Sequence, residues 1–571
     1  MSSPKDLSLD RPVLKLGMVE DEATGDVYTE FAFLKPLNRR GTVLVENDKA
    51  REPAALTRTL LQKGADLPLD RELAASLVRD AIAAPPARHR LHASHLGWRR
   101  GGKAFVLPRP AAVIGASGQQ LEVQPPAWLN DRQDASFAVR GTLPEWVAEV
   151  AEPARHSDLI QTVIAAAFGA VLLPWSGLQN FGLNLFGGSK SGKTTALLCG
   201  TSVGGIGRER DLPNWNATTG GFLETARWFN DRLLPANEVG ALAGKRRDAY
   251  GPIRERIFAF SEGRDRARVS GSVVGAPRGA SRWSGIFVST AEFSFTQYAG
   301  FAGETRAEGE YARCLDIPAR QRDRSTVFNR FPDEAEGSRS AWARAQLTQL
   351  RCACERQCGT PLVAFVEYVI AEGDRARETY EARAGEFLEH VNAAALEPWL
   401  EHAAKNMAHV YAAGCTAIDA AILPWTGEEL LRATAASLKA AVAEVRRAVA
   451  SVGAALRTFR ERLASSALPE THDDATFGPD DYPGFFEAEG GKAVVTLHAR
   501  VLGEWLETRV ERVAVLKHLY ERGCLLMGDK AAAPSPTSTE WAQRTPQWPD
   551  GRVHKSYVFT DPFGVVGNQR G

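Results

Sequence analysis

Cysteine is scarce and scattered: the chain of 571 residues holds seven, an odd number without a repeating spacing. That excludes a disulfide framework and fits a reducing compartment, so a cytoplasmic location is expected. An excess of either charge is also lacking, with 69 Lys+Arg against 69 Asp+Glu. Any contact with nucleic acid must then come from a local basic surface, and a protein that simply coats DNA is disfavoured. Long apolar runs are missing too. The longest, residues 163–175, is too short to span a bilayer and reads as a buried helix, so no membrane partner is expected. The first twelve residues are polar, so a secretory signal is not expected. What remains is the composition of a globular protein, 44% hydrophobic and 24% charged, long enough for several domains.

One stretch organises the reading. Gly187-Gly188-Ser189-Lys190-Ser191-Gly192-Lys193-Thr194 has the G-x-x-x-x-G-K-T spacing of a Walker A phosphate loop. Residues 181–186 before it read as a short buried strand, and Thr195 and the residues after it open a helix. The glycines let backbone N–H groups turn onto phosphate oxygens, and the helix N-terminus adds partial positive charge. Lys193 is expected to reach the β- and γ-phosphates of ATP, and Thr194 to offer its hydroxyl to Mg²⁺.

Hydrolysis needs more. The apolar stretch 233–236 ends in Asn237 and Glu238, with Glu238 the candidate for polarising the attacking water and Asn237 standing where Asp is normal. A neutral amide adds no charge for Mg²⁺. The strand pattern 286–291 carries Ser289 and Thr290, candidates for sensing the γ-phosphate. Arg313 is a candidate arginine finger for a neighbouring subunit's nucleotide. Between these strands Arg264, Arg266, Arg268, Arg278 and Arg282 crowd a Gly-rich segment, with residues 271–275 patterned as a hairpin strand; they are candidates for gripping a phosphodiester backbone through charge. His89, His92 and His95 lack a cysteine or regular partner, and Cys352, Cys354 and Cys358 point different ways on a helix with no fourth ligand nearby, so structural roles are expected for both sets.

Four regions are expected: a mixed, strand-rich N-terminal domain over 1–140; an α/β core with a mainly parallel sheet over 141–330; a helical region over 331–470; and, after an acidic linker at 471–491, a C-terminal domain over 492–571. Its strand–helix–helix–strand–loop–strand order is a winged-helix outline.

Several separated pieces resemble the family known as domain of unknown function 927, helicase-like proteins of mobile genetic elements that include staphylococcal cassette replication proteins. They are residues 95–98, 141–146, 187–194, 215–219, 230–238, 263–268, 289–292, 313–318, 413–414 and 423–425, in that order. The resemblance implies a P-loop AAA+ ATPase similar to superfamily 3 and minichromosome-maintenance helicases, a homo-hexameric ring threading single-stranded DNA with a hairpin ahead of the sensor strand. Carried over, Lys193 and Thr194 take the Walker A roles, Glu238 the Walker B base and Arg313 the finger. The chain departs at Asn237 and lacks a Gly-Lys pair near Asp265-Arg266, where arginines substitute. Some relatives carry a primase module; none is seen here, so priming would need a partner. The alternative reading is an ATP-gated DNA-binding scaffold without motor activity.

Overall fold

The structure is a computed structural model. It describes residues 7–22, 25–93, 95–99, 102–108, 113–115, 122–124, 137–242, 248–264, 282–302, 304–320, 326–335, 338–472, 475–489, 492–506, 509–527 and 539–566.

The N-terminal region folds because its alternating strands have two helices to bury against. Strands β1 (Val13–Asp21), β2 (Val27–Lys35), β3 (Arg39–Glu46), β4 (Arg88–His92) and β5 (Glu122–Gln124) form one sheet in the order β3-β2-β1-β4-β5. Phe31, Phe33, Val43 and Val45 pack on Leu56 and Leu60 of α1 (Pro53–Gln62) and Val78 of α2 (Arg71–Ala83). Asp70 caps α2, its carboxylate accepting the Glu72 N–H at 2.9 Å.

A small antiparallel sheet, Gly97–Trp98, Ala104–Val106 and Val113–Gly115, latches this region to the core. Asp231 Oδ2 accepts the Trp98 N–H and Asn230 Nδ2, both at 2.9 Å, and Asn230 also donates to the Leu96 carbonyl. The Trp98 indole donates to the Val171 carbonyl at 2.8 Å. Gly97 sits at φ +87°, and a Cβ there would collide with Asp231 Oδ2. Two of the motifs singled out in the sequence are thus the halves of one joint.

The core is a four-stranded, wholly parallel sheet. Its strands are β6 (Phe181–Phe186), β7 (Leu234–Ala236), β8 (Ile286–Ala291) and β9 (Cys314–Pro318), in the order β7-β8-β6-β9. Against it lies α3 (Asp158–Ser176), which is longer than the apolar run expected at 163–175. At 19 residues it is long and apolar enough to cross a bilayer, yet nearly all of it is buried inside the protein. At its centre the Gly169 carbonyl meets His409 Nε2 at 2.8 Å, and burial pushes that imidazole down to about 4.

A buried carboxylate organises the sheet's edge. Asp316 on β9 accepts Asn184 Nδ2 of β6 at 2.7 Å, the N–H groups of Phe295 and Thr296, and Nη1 of Arg306 at 2.9 Å. Those two N–H groups open α7 (Phe295–Ala302). Arg306 also donates to the carbonyls of Glu310, within α8 (Glu308–Arg313), and of Cys314, just past its end. Both ions are fully buried, so these bonds offset a large desolvation cost.

Around the sheet run α4 (Lys193–Val203), α5 (Thr219–Trp228), α6 (Tyr250–Ser261), α9 (Arg339–Arg356), α10 (Thr360–His390), α11 (Pro398–Asp419) and α12 (Gly427–Ser465). One continuous apolar core runs from Ala93 to Val442, across both expected boundaries at 140/141 and 330/331. The helical region therefore packs on the sheet and on α3. The acidic stretch 471–491, expected as a linker, contains a strand, β10 (Gly484–Glu489), paired with β11 (Lys492–His498). With α13 (Ala499–Trp505), α14 (Arg509–Glu521), β12 (Leu525–Leu526), β13 (Gln543–Arg544) and β14 (Ser556–Thr560) it makes the C-terminal module. Ala455, Phe459 and Leu463 of α12 enter that module's core. Residues 531–538, expected as a loop, lie outside the described residues.

The latch gives two expectations. Gly97→Ala should lower the unfolding free energy by roughly 1–3 kcal/mol in urea titrations, through the positive φ and the lost space. Burial raises the Asp231 carboxyl from 3.8 to about 7. The folded protein then holds a proton that the unfolded chain releases, so wild-type stability should fall relative to Asp231→Asn as pH rises from about 4 to 7.

Candidate functional site

In a parallel sheet the strand C-termini share one edge, and ligands bind there. Four polar stretches meet at this edge: residues 187–192 after β6, Asn237 and Glu238 after β7, Glu292 after β8 and Arg320 after β9.

The loop has the backbone its sequence implies. Gly187 stands at φ +146°, Lys190 at +63° and Gly192 at +98°, and a Cβ on Gly192 would press on Leu347 and Val327. Helix α4 then begins at Lys193, aiming its N-terminus at the loop. Lys193 Nζ donates to the carbonyls of Gly187 at 2.6 Å and Gly188 at 3.0 Å, and to Ser191 Oγ at 3.4 Å. Burial holds this ammonium below the ordinary lysine range; Arg320 adds to the effect, and Glu292 and Glu238 oppose it. Ser191 and Thr195 are buried, Thr194 is half-buried, and Ser189 offers its carbonyl to Arg320 Nη2 at 2.9 Å.

The opposite wall is held by one hydroxyl. Thr290 Oγ1 donates to Asn237 Oδ1 at 2.7 Å and accepts the Glu238 N–H at 2.9 Å. Glu238 is exposed and sits at φ +55°, a conformation that costs a non-glycine residue about 1–3 kcal/mol and persists only where surroundings impose it. Asn237 is further fixed by backbone pairing with residues 213–215. Ser289 is a different case from its neighbour. Its fully buried hydroxyl accepts the Trp215 indole N–H at 2.9 Å, a structural contact.

Arg313 stands at the far end of the sheet. It precedes Cys314, which pairs with Gly182, whereas the loop follows Phe186, roughly 13 Å further along β6. Its guanidinium donates to the Gly309 carbonyl at 2.8 Å and covers the Phe258 ring. Of the basic segment, Arg264 and Arg282 are exposed and form an antiparallel bridge, so the chain leaves and returns at one place. Arg266, Arg268, Arg278 and the stretch 271–275 lie outside the described residues. The bridge is also at the far end, beside a cavity of about 480 Å³ lined by Asn180, Glu262 and Trp283. Cys354 is buried 3.9 Å from Cys199, Cys358 is buried near the Ala138 carbonyl, and Cys352 is exposed, so these three thiols do not converge.

Glu292 and Arg320 did not stand out as site residues in the sequence. The available signal was position: each is a charged residue one or two places beyond a buried parallel strand.

Fold and site together define a mixed α/β protein with a helicase-like structural neighbour. The family described as Domain of unknown function (DUF927) matches residues 32–278. Among solved structures, the chain is similar to the active helicase Cch of SCCmec type IV, with a TM-score of 0.58 and 13% identity, over 96% of this chain and 93% of that one. At this identity the likeness is one of fold. The apo A form of the NrS-1 C-terminal region also aligns, with 9% identity over 71% of this chain and 87% of that one, at a TM-score of 0.24. No curated protein matches.

Ser289→Ala should orphan the Trp215 indole and cost about 1–3 kcal/mol of stability, measured by urea unfolding, with nucleotide affinity unchanged. Arg320→Ala should instead weaken nucleotide binding, measured by fluorescence titration, and leave stability near wild type.

Proposed function

We propose that the chain is an AAA+ type ATPase that moves on single-stranded DNA as a homo-hexameric ring, a cytoplasmic helicase or translocase serving replication of a mobile genetic element. The observation that carries this reading is the meeting of the 187–192 loop, Glu238 and Thr290 at one edge of a parallel sheet. The helicase-like fold supports it.

Lys193 and the loop N–H groups would hold the β- and γ-phosphates. Release of Lys193 from the Gly187 and Gly188 carbonyls would accompany binding. The Thr194 hydroxyl, the second lone pair of the Asn237 amide oxygen and the Glu238 carboxylate are hard oxygen donors suited to Mg²⁺, which would neutralise phosphate charge. Glu238, aimed by the Thr290 hydroxyl, orients the attacking water and takes its proton. Arg313 lies too far from its own loop to act there, which supports action on a neighbouring subunit's nucleotide. The Arg264–Arg282 segment would grip the DNA backbone, the C-terminal module would act as a winged-helix-like accessory, and a separate primase would supply primers.

Asn237 favours a second reading, an ATP-gated DNA-binding scaffold. Lys193→Ala should abolish DNA-stimulated ATP hydrolysis and strand separation; unwinding that survives it would end the motor reading. Nucleotide binding without turnover in the wild type would favour the scaffold. Mixing Lys193→Ala with Arg313→Ala subunits should restore part of the hydrolysis, because each supplies what its neighbour lacks. No recovery would remove the finger from between subunits.

A further inference from the structure

Without a further acidic group the candidate site is unbalanced. Lys193, Arg320 and the N-terminus of α4 are positive, and of the pair after β7 only Glu238 is negative. Phosphate-loop ATPases ordinarily place an Asp on the metal, and here that position is the neutral Asn237.

The strand next to the loop carries another carboxylate. In the β6–β8 register Ala291 stands opposite Phe186, and its carbonyl accepts the Gly187 N–H at 3.2 Å. The following residue, Glu292, is therefore set beside the first residue of the phosphate loop, and it is exposed. Its backbone is tied down on both sides: Ala291 to Gly187, and Phe295 and Thr296 to buried Asp316. On the other flank β8 pairs with β7, Ser289 opposite Ala236, so Glu292 projects from the same edge as Asn237 and Glu238. Its field reaches Lys193 more strongly than that of Glu238 does.

We propose that Glu292 supplies the carboxylate that Asn237 lacks, as a positioning residue that orders the water shell of the Mg²⁺ held through Thr194 and Glu238. The proposal rests on the phosphate-site reading above. In it two carboxylates again face two cations, but they come from neighbouring strands instead of consecutive residues. Charge next to bound water is felt by the metal without direct ligation, and such partners typically govern metal affinity.

The test is a titration of the full chain with a fluorescent ATP analogue at graded MgCl₂ and in EDTA, for wild type, Glu292→Gln, Glu292→Asp, Asn237→Asp and the double variant Asn237→Asp/Glu292→Gln. Glu292→Gln should raise the Mg²⁺ concentration for half-maximal nucleotide binding about 10- to 100-fold, while binding in EDTA stays equal or tightens as a negative charge is removed from the triphosphate's surroundings. Glu292→Asp should fall between. Asn237→Asp should return the double variant toward the wild-type Mg²⁺ dependence, a rescue that a merely structural role would not give. An unchanged Mg²⁺ requirement in Glu292→Gln, an equal loss of binding with and without Mg²⁺, or no rescue would overturn the proposal while leaving the phosphate site standing. A wild-type chain that binds no nucleotide would overturn the site reading itself, and this proposal with it.

Discussion

The Asp316–Arg306 pair is the constraint on which the edge carrying the candidate site depends. A buried ion pair is costly unless every remaining lone pair and proton finds a partner, and here Asn184, the Phe295 and Thr296 N–H groups and two carbonyls meet much of that demand. The result is mechanical as well as energetic. Asn184 lies in β6, the strand that leads into the 187–192 loop, residues 295 and 296 follow Glu292, and Arg306 grips the helix that ends in Arg313. Strands β6 and β9 and helices α7 and α8 are joined through one carboxylate. Glu310, on the same helix, accepts the Tyr250 hydroxyl at 2.5 Å, extending the network to the start of α6, the helix that leads into the basic segment. A change in charge at one end of β6 therefore has a physical route to the other.

The motifs that made the sequence legible turn out to have mixed positions. The 187–194 loop and Glu238 meet at the candidate site. Many others are joints: Gly97 and Trp98 with Asp231, Thr142 with Gln357 at 3.2 Å, the Trp146 indole with Ser202 Oγ, Trp215 with Ser289, and the Trp425 indole with the Ala151 carbonyl. The buried indoles of Trp146, Trp215 and Trp425 each find an acceptor, as a donor excluded from water must. These contacts fasten the N-terminal sheets and the long helices to the sheet that carries the loop.

Strand β6 and helix α4 were readable because an apolar strand, a glycine loop and a helix start are local signals. Helix α2 carries equally local signals, since Asp70 caps it and Pro85-Pro86 follows it. The division of labour between Ser289 and Thr290 was not. Adjacent strand residues face opposite ways, and which hydroxyl faces the site depends on Trp215, some 70 residues away in the chain. The left-handed backbone of Glu238 carried no glycine to announce it. Strand β10 was hidden because acidic and glycine residues at the edge of a small sheet look like a linker when the partner strand is not in view. Nor did composition show that the α/β core and the helical region share one interior, since that follows from how α3 is wrapped.

Helix α12 has a geometry with its own consequence. Its first turns are pinned by a reciprocal cap between Thr426 and Glu429, its next turns lie on α3 where Ser437 meets Thr162 at 2.9 Å, and its last turns enter the C-terminal module through Phe459. Its 39 residues make an unbroken rod of roughly 58 Å. Anchored at one end and carrying the module at the other, it has the form of a stiff boom, braced where α14 touches α7. A pivot of about five degrees where it crosses α3 would carry the far module sideways by roughly 3 Å, with no hinge between to absorb the swing.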